Sequence, residues 1–227
     1  MKKFAITFAA VLLASAALAQ QDAPKHEQIL ADKPGLVKVF DDDGGRVDTW
    51  HRGEAERSLE FDGGAVIQQP LLHAVFLGAR WSEPALAAAK SALQAAVVTA
   101  GGAPEALAAR GVRMPPAMAG VRDLPGQPSM NDLHVRIALE NAMADGALSL
   151  RDENVVYVVF LAPGIKSSLG DHQPGRDYDS YHSHFHAHDT NVRYVVVPWN
   201  DDAAAMRAAM QHSTVRAIVN PDADAWY

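Results

Sequence analysis

The chain has 227 residues, of which 48% are hydrophobic and 21% charged, and it has a formal net charge of −7 and no cysteine. This length and apolar content indicate one globular domain, with or without an appended arm, and exclude a largely disordered chain. The absence of cysteine excludes disulfides, thiolate metal sites and a cysteine nucleophile. The acidic balance argues against nucleic acid or an anionic membrane as the main partner.

The N-terminus has the pattern of a secretory signal peptide. Lys2 and Lys3 precede an uncharged apolar run at residues 4–16, and Ala17-Leu18-Ala19 fits the small-x-small cleavage pattern. We therefore expect residues 1–19 to be a signal peptide that is cut between Ala19 and Gln20. The mature protein is then expected in the periplasm or outside the cell, without a membrane anchor, because no later stretch approaches twenty apolar residues.

The mature chain divides into an arm and an α/β domain. Residues 20–60 are predicted to form an N-terminal arm with short strands, one of them at residues 36–40, followed by an acidic turn at 41–45. Residues 61–227 are predicted to form the domain. Its first elements are a buried strand at 71–78 and a helix from an N-cap at Ser82 to Ala100. Residues 101–128 are expected to meander over the surface.

The second half of the domain alternates strands with helices. A capping box at 129–132 predicts a helix that Gly146 closes, with Leu133, Ile137 and Ala144 facing the core. The run at 155–161 is apolar at every position and predicts a central strand, and 194–197 predicts another strand. A last helix is expected from Asp201 and Asp202 to about Val219. This order indicates an α/β fold, a single layered domain with a mixed sheet packed by helices.

Four histidines alternate with other residues, at His182, His184, His186 and His188. On a strand this spacing directs all four to one face, where adjacent members lie about 6.5–7 Å apart. A pair of them could bind Zn²⁺ or another divalent transition metal, with His212, Asp189 or water completing the site. The alternative is a polar strand face that binds metal weakly or not at all. Asp177, Asp179 and Asp189 flank these histidines, and we expect them mainly to keep the loop solvated.

Several segments of the second half follow one another in a recognisable order. They are 63–66 (GGAV), 76–81 (FLGARW), 157–164 (YVVFLAPG), 181–183 (YHS), 194–198 (YVVVP) and the segment from His212 through Tyr227. This order resembles that of secreted bacterial proteins similar to the plant EXORDIUM (phosphate-induced) proteins, which are zincin-like in their C-terminal half. The resemblance implies a zincin-like fold and a helix of the type His-Glu-x-x-Glu at residues 212–216.

The chain departs from that helix motif at two positions. In a zincin helix, the Glu after the first His activates the metal-bound water and the residue at i+4 shares the metal. Ser213 and Arg216 occupy those positions here. Serine is too weak a base at neutral pH, and Arg216 adds a positive charge beside the expected cation. A hydrolytic site of this design is therefore not expected.

These observations leave three functional hypotheses. The first is an exported binding protein of the EXORDIUM-like, zincin-like type that has lost peptidase activity and binds an extracytoplasmic partner or a metal. The second is a working zinc-dependent hydrolase whose metal is held by two of the alternating histidines plus His212. The third is a periplasmic metal-buffering protein in which the histidine strand is the whole function.

Overall fold

The structure, a computed structural model, describes residues 39–40, 46–52, 64–100, 104–149, 152–187 and 190–222. The predicted signal peptide, most of the predicted arm, His188, Asp189 and residues 223–227 lie outside the described residues. The strands are β1 (Val39–Phe40), β2 (Arg46–Trp50), β3 (Leu71–Leu77), β4 (Ala117–Leu124), β5 (Ser129–Asn131), β6 (Val155–Leu161), β7 (Lys166–Ser168), β8 (Ser180–Ala187) and β9 (Thr190–Val197). The helices are α1 (Ala87–Thr99), α2 (Pro104–Ala108), α3 (Asp132–Ala144) and α4 (Ala203–Val219).

The main sheet is mixed, with the strand order β1-β2-β8-β9-β6-β3-β4. Strands β4, β3, β6 and β9 run parallel to one another, whereas β8 is antiparallel to both β9 and β2. Strand β2 belongs to the segment 20–60 that the sequence assigns to an arm with short strands, and it adds to this sheet through β8. A separate pair, β5 and β7, is parallel.

Strand β6 lies at the centre of the sheet, between β3 and β9, and all seven of its residues are buried. Apolar residues at every position are expected of a strand that is covered on both faces. The prediction of a central strand at 155–161 is therefore confirmed. The strands predicted at 71–78 and 194–197 are also present, and the second begins earlier, at Thr190.

Helices cover both faces of the sheet, so the fold has three layers. On one face, α1 and α4 pack against alternate strand residues, including Phe76, Val158 and Val195. On the other face, α3 packs against the intervening residues, including Val75 and Val159. This arrangement confirms the α/β class and the mixed sheet packed by helices. No helix in the described part of the chain combines the length and the apolar character that a membrane span needs.

Helix α3 is present, but its capping box lies at residues 131–134 and not at the predicted 129–132, because Ser129–Asn131 form strand β5. The helix also buries a different face from the predicted one. Its N-cap is Asn131, whose side chain accepts a hydrogen bond from the backbone N–H of His134, and the His134 ring accepts one in return. The expectation that Leu133, Ile137 and Ala144 face the core is wrong, since Leu133 and Ile137 are 37% and 43% exposed and Ala144 is exposed. The helix instead buries the residues Asp132, Val135, Leu139, Ala142 and Met143.

The buried carboxylate of Asp132 explains why α3 turns this face, and not the predicted one, toward the sheet. It accepts a hydrogen bond from the Tyr194 hydroxyl at 2.8 Å and lies 2.7 Å from Nε of Arg136. A buried carboxylate needs such partners, because burial without them is costly. The N-terminal turn of the helix must therefore face strand β9, and the helical repeat then places Val135 and Leu139 on the buried side.

Two other predictions differ from the structure, namely the start of α1 and the segment between α1 and α3. Ser82 is not the N-cap of α1 but ends a 3₁₀ turn, where its hydroxyl donates to the Ala79 carbonyl at 2.7 Å. A second 3₁₀ turn, Pro84–Leu86, precedes the helix. The segment 101–128, expected to meander, contains α2 and the edge strand β4. An edge strand has one neighbour and is half-exposed, so its hydrophobic pattern is weak.

Candidate functional site

Strand β8 presents alternate side chains to opposite faces of the sheet. Tyr181 packs in the core beneath α3, whereas Nε2 of His182 lies 3.1 Å from the carbonyl oxygen of Asn220, at the end of α4. The prediction of a strand that places the alternating histidines on one face is confirmed for its described members. His188 lies outside the described residues.

The alternating histidines differ sharply in exposure along the strand. His182 is 1% exposed, His184 is half-buried, and His186 is exposed, with its Nδ1 3.0 Å from the Asn191 side-chain oxygen. Helix α4 covers the first part of β8, and the last part extends toward solvent. The three described positions, His182, His184 and His186, therefore do not form one equivalent row of metal ligands.

Three elements bring together Asp48, Trp50, His182, His212 and Arg216, which we call the His182–His212 cluster. Asp48 lies directly opposite His182 in the β2–β8 pairing, and their Oδ2 and Nδ1 atoms are 3.7 Å apart. The ring of Trp50, also on β2, stacks on that of His212, with centroids 5.3 Å apart. Nε of Arg216 donates to Oδ2 of Asp48 at 2.6 Å. Sequence reasoning identified the histidines and Arg216 but not their partners on β2.

Burial favours the neutral form of both histidines of the cluster. It lowers the pKa of His182, an effect that the positive charge of Arg216 strengthens and the carboxylate of Asp48 opposes. Burial also lowers the pKa of His212 to about 4, again reinforced by Arg216. Neutral imidazole is the form that binds metals. The nearby carboxylate of Asp48, which could be a further ligand, is already paired with the guanidinium of Arg216.

Ser213 is buried and hydrogen-bonded to another serine. Its side chain is 1% exposed, and its hydroxyl lies 2.7 Å from that of Ser180. The Ser180 hydroxyl in turn donates to the Ala209 carbonyl at 2.9 Å. This hydrogen-bond chain joins α4 to the first residue of β8. Ser213 therefore contributes to helix–sheet packing, and it supplies neither the basicity nor the exposure of a water-activating carboxylate.

The described residues do not fit a hydrolytic zinc centre. Among them, no group of three or more histidine, aspartate or glutamate side chains is placed to hold a metal ion. Arg216 stands on the same helix face as His212, one turn further along, and brings a fixed positive charge to the position where a ligand is needed. His188 and Asp189, two of the candidate ligands, are outside the described residues.

A cavity of about 280 Å³ opens at the carboxyl end of β9. This is the edge of parallel strands where α/β proteins commonly bind ligands. Its walls come from the loop before β8, from the β9–α4 connection and from the first turns of α4. The lining residues are Pro174, Gly175, Asp179, Pro198, Trp199, Asn200, Asp201, Ala205, Met206 and Ala209. This cavity was not predicted from the sequence, although the end of the predicted strand at 194–197 marks the edge at which it lies.

Asp179, at one side of the cavity, is buried rather than part of a solvated loop. Its carboxylate accepts hydrogen bonds from the backbone N–H and the guanidinium of Arg52, the shortest at 2.7 Å. Burial favours the neutral acid, but the bonds from Arg52 outweigh it and hold the pKa of Asp179 below its usual value. The expectation that Asp179 serves mainly to solvate the loop is therefore wrong. Asp177 pairs with the exposed Arg176.

Comparison of the chain with known protein families, with curated proteins and with solved structures found no match. The resemblance to EXORDIUM-like and zincin-like proteins therefore stays a prediction from the sequence segments described above.

Proposed function

We propose that this chain is an exported, soluble binding protein of the EXORDIUM-like, zincin-like type that has lost peptidase activity. The observation that carries the proposal is the ion pair between Arg216 and Asp48 beside His212. It places a guanidinium where a metal-dependent hydrolase needs a ligand, and it occupies the carboxylate nearest to the two histidines.

The electrostatics of the cluster favour this interpretation over an active hydrolase. Arg216 and Asp48 are 14% and 22% exposed, so their attraction is less screened than that of a surface pair. A divalent cation bound by His182 and His212 would lie near the Arg216 charge, which remains protonated at any physiological pH. It would also lack an adjacent base, since Ser213 is engaged with Ser180.

A binding protein without catalytic activity needs a recess for its ligand. The cavity at the carboxyl end of β9, outside the His182–His212 cluster, is such a recess. Recesses beside the carboxyl ends of parallel strands commonly bind small ligands in α/β proteins, and this one combines Trp199 with the polar residues Asn200 and Asp201. Export is supported by the sequence at residues 1–19, with its two lysines, apolar run and small residues before Gln20.

The test measures metal content and peptide cleavage on the same preparation of tag-free protein purified from the secreted or periplasmic fraction. We expect no stoichiometric zinc after desalting and no cleavage of unstructured peptides that a chelator inhibits. One retained equivalent of zinc that is lost in His212→Ala, together with chelator-sensitive cleavage, would contradict the proposal and support a metallohydrolase.

A third outcome distinguishes metal buffering. Metal that remains bound in His212→Ala but is lost when His184 and His186 are both replaced by alanine would assign the function to the exposed end of β8. That result would favour the metal-buffering hypothesis over the proposal, because the histidine strand would then account for the whole function. Circular dichroism on each variant checks that the fold persists.

A further inference from the structure

The cavity at the carboxyl end of β9 has an indole held in a fixed orientation. Nε1 of Trp199 donates to Oδ1 of Asp201 at 2.8 Å, and the ring meets Trp81 edge-on, with centroids 5.6 Å apart. Trp199 is only half-buried, so part of the ring remains available to a ligand. A rigid aromatic side chain loses little conformational entropy when a ligand packs on it.

The next residues of the β9–α4 connection are also held in place. The Asn200 side-chain oxygen accepts the N–H of Asp202, and the Asp202 carboxylate accepts the N–H groups of Ala204 and Ala205. The first amides of α4 are therefore already bonded within the chain. An anionic ligand would find few free donors at this helix terminus, which is where anions bind in many proteins.

The charges on the cavity wall favour a cation. The lining includes the carboxylates of Asp179 and Asp201 but no lysine, arginine or histidine. Arg52 compensates Asp179, whereas Asp201 has no cationic partner among the described residues. Its Oδ1 accepts the indole N–H, and Oδ2 can accept a further bond or face a positive charge. The apolar part of the wall includes Met206 and Pro198.

We propose that this cavity binds the ammonium group of a small organic cation, held between the indole of Trp199 and the carboxylate of Asp201. An aromatic face beside a carboxylate attracts alkylammonium groups through cation–π and charge interactions. The recess, of about 280 Å³, can hold the cationic group of such a molecule. This inference rests on the proposed function, because it names the ligand class of the binding protein.

The probes are choline and its neutral isostere 3,3-dimethylbutan-1-ol, which have the same shape but differ by one charge. Each is titrated into the protein labelled with ¹⁵N at the tryptophan indoles, and the Trp199 signal is assigned with Trp199→Phe. We expect choline to shift the Trp199 indole signal in a saturable manner and to bind about tenfold more tightly than the alcohol, an effect of roughly 1.4 kcal/mol.

Asp201→Asn is the matching variant, because it removes the charge and keeps an oxygen that can accept the indole N–H. Choline affinity should fall about tenfold in this variant, toward that of the alcohol. Glu140→Gln removes an exposed carboxylate from α3, on the opposite face of the sheet, and should leave the affinity unchanged.

Equal affinity of the wild-type protein for choline and the alcohol, or unchanged choline affinity in Asp201→Asn, would overturn the inference. So would shifts confined to other tryptophan signals. None of these results bears on the expected absence of chelator-sensitive cleavage, so they do not count against the proposed loss of peptidase activity. Conversely, cleavage by a protein that still binds choline through Asp201 would refute only the proposed function.

Discussion

At the scale of single residues, one charged side chain sets the chemistry of the His182–His212 cluster. Arg216 bonds to Asp48 and stands where the resemblance to zincins implies a metal ligand. Burial lowers the pKa of both neighbouring histidines, and the charge of Arg216 adds to that effect. Removing either member of this part-buried pair would leave the other charge without its partner, which would destabilise the folded protein. A glutamate at position 213 alone does not reverse this arrangement.

The variant Ser213→Glu is therefore expected to lose stability without gaining activity. A larger, charged side chain must enter a position that is 1% exposed and lies against Ser180, which should reduce the free energy of unfolding by about 2–4 kcal/mol. Denaturant unfolding and a chelator-sensitive peptide assay measure both quantities. Gln211→Glu, at an exposed position of the same helix, is the control and should change neither. Robust cleavage by Ser213→Glu would refute this account of Arg216.

The lowered histidine pKa values predict acid sensitivity of the fold. In the unfolded chain His212 takes up a proton near its ordinary pKa of 6.5, whereas in the folded protein it does so only near pH 4. The unfolded state thus binds more protons between these values, so stability is full above pH 6.5 and falls as the pH drops toward 4. One such group contributes at most about 1.4 kcal/mol per pH unit, and partial exposure of the ring reduces this.

The variant His212→Phe tests this prediction, since phenylalanine can stack on Trp50 but cannot bind a proton. Unfolding free energies measured between pH 7 and pH 4 should decline less steeply in the variant than in the wild type. His186→Gln changes an exposed side chain outside the cluster and should leave the wild-type slope intact. An identical slope in His212→Phe would show that this ring is not the source of the acid sensitivity.

At the scale of elements, the hydrophobic pattern of α3 predicts a helix but does not determine which of its faces is buried. The sequence carries two apolar sets on this helix, one with Leu133 and Ile137 and one with Val135 and Leu139. Residues two apart point in nearly opposite directions on a helix, so only one set can face the sheet. The end of the helix at Gly146 was predictable from local residues, but the position of its capping box was not. The buried face depends on Asp132 reaching Tyr194 and Arg136.

Alanine substitutions distinguish the two faces of α3. Leu139→Ala removes a side chain with no exposed area and should reduce the free energy of unfolding by about 2–5 kcal/mol. Ile137→Ala, at a position that is 43% exposed, should change it by about 0.5 kcal/mol or less. The comparison is made by denaturant unfolding at pH 7. A larger loss from Ile137→Ala than from Leu139→Ala would contradict the described orientation of the helix.

At the scale of the whole molecule, the cluster depends on contacts between distant parts of the chain. Asp48 and Arg216 are separated by 168 positions, and they meet because β2 pairs with β8 while α4 packs over both. The arm segment that the sequence sets apart from the domain therefore supplies two members of the cluster, Asp48 and Trp50. Loss of β2 would remove both the carboxylate partner of Arg216 and the ring that stacks on His212.

The N-terminus of the mature protein tests the predicted export. Mass spectrometry of protein from the secreted or periplasmic fraction should give a chain that begins at Gln20, because signal peptidase requires small residues before the cleavage site. Ala19→Glu should block cleavage and cause the precursor to accumulate. Recovery of soluble wild-type protein that still begins at Met1 would contradict the prediction.

The sequence by itself determined the α/β class, the central strand β6, the alternation of histidines on β8 and the departure of positions 213 and 216 from the zincin motif. These features depend on local periodicity and residue type, which act over a few neighbouring positions. Only the tertiary structure decided that Asp48 pairs with Arg216, that Trp50 stacks on His212, that α3 buries Leu139 and that Trp199 and Asp201 line a cavity. Each of these depends on which distant segments become neighbours in the sheet, and local sequence preferences do not encode that choice.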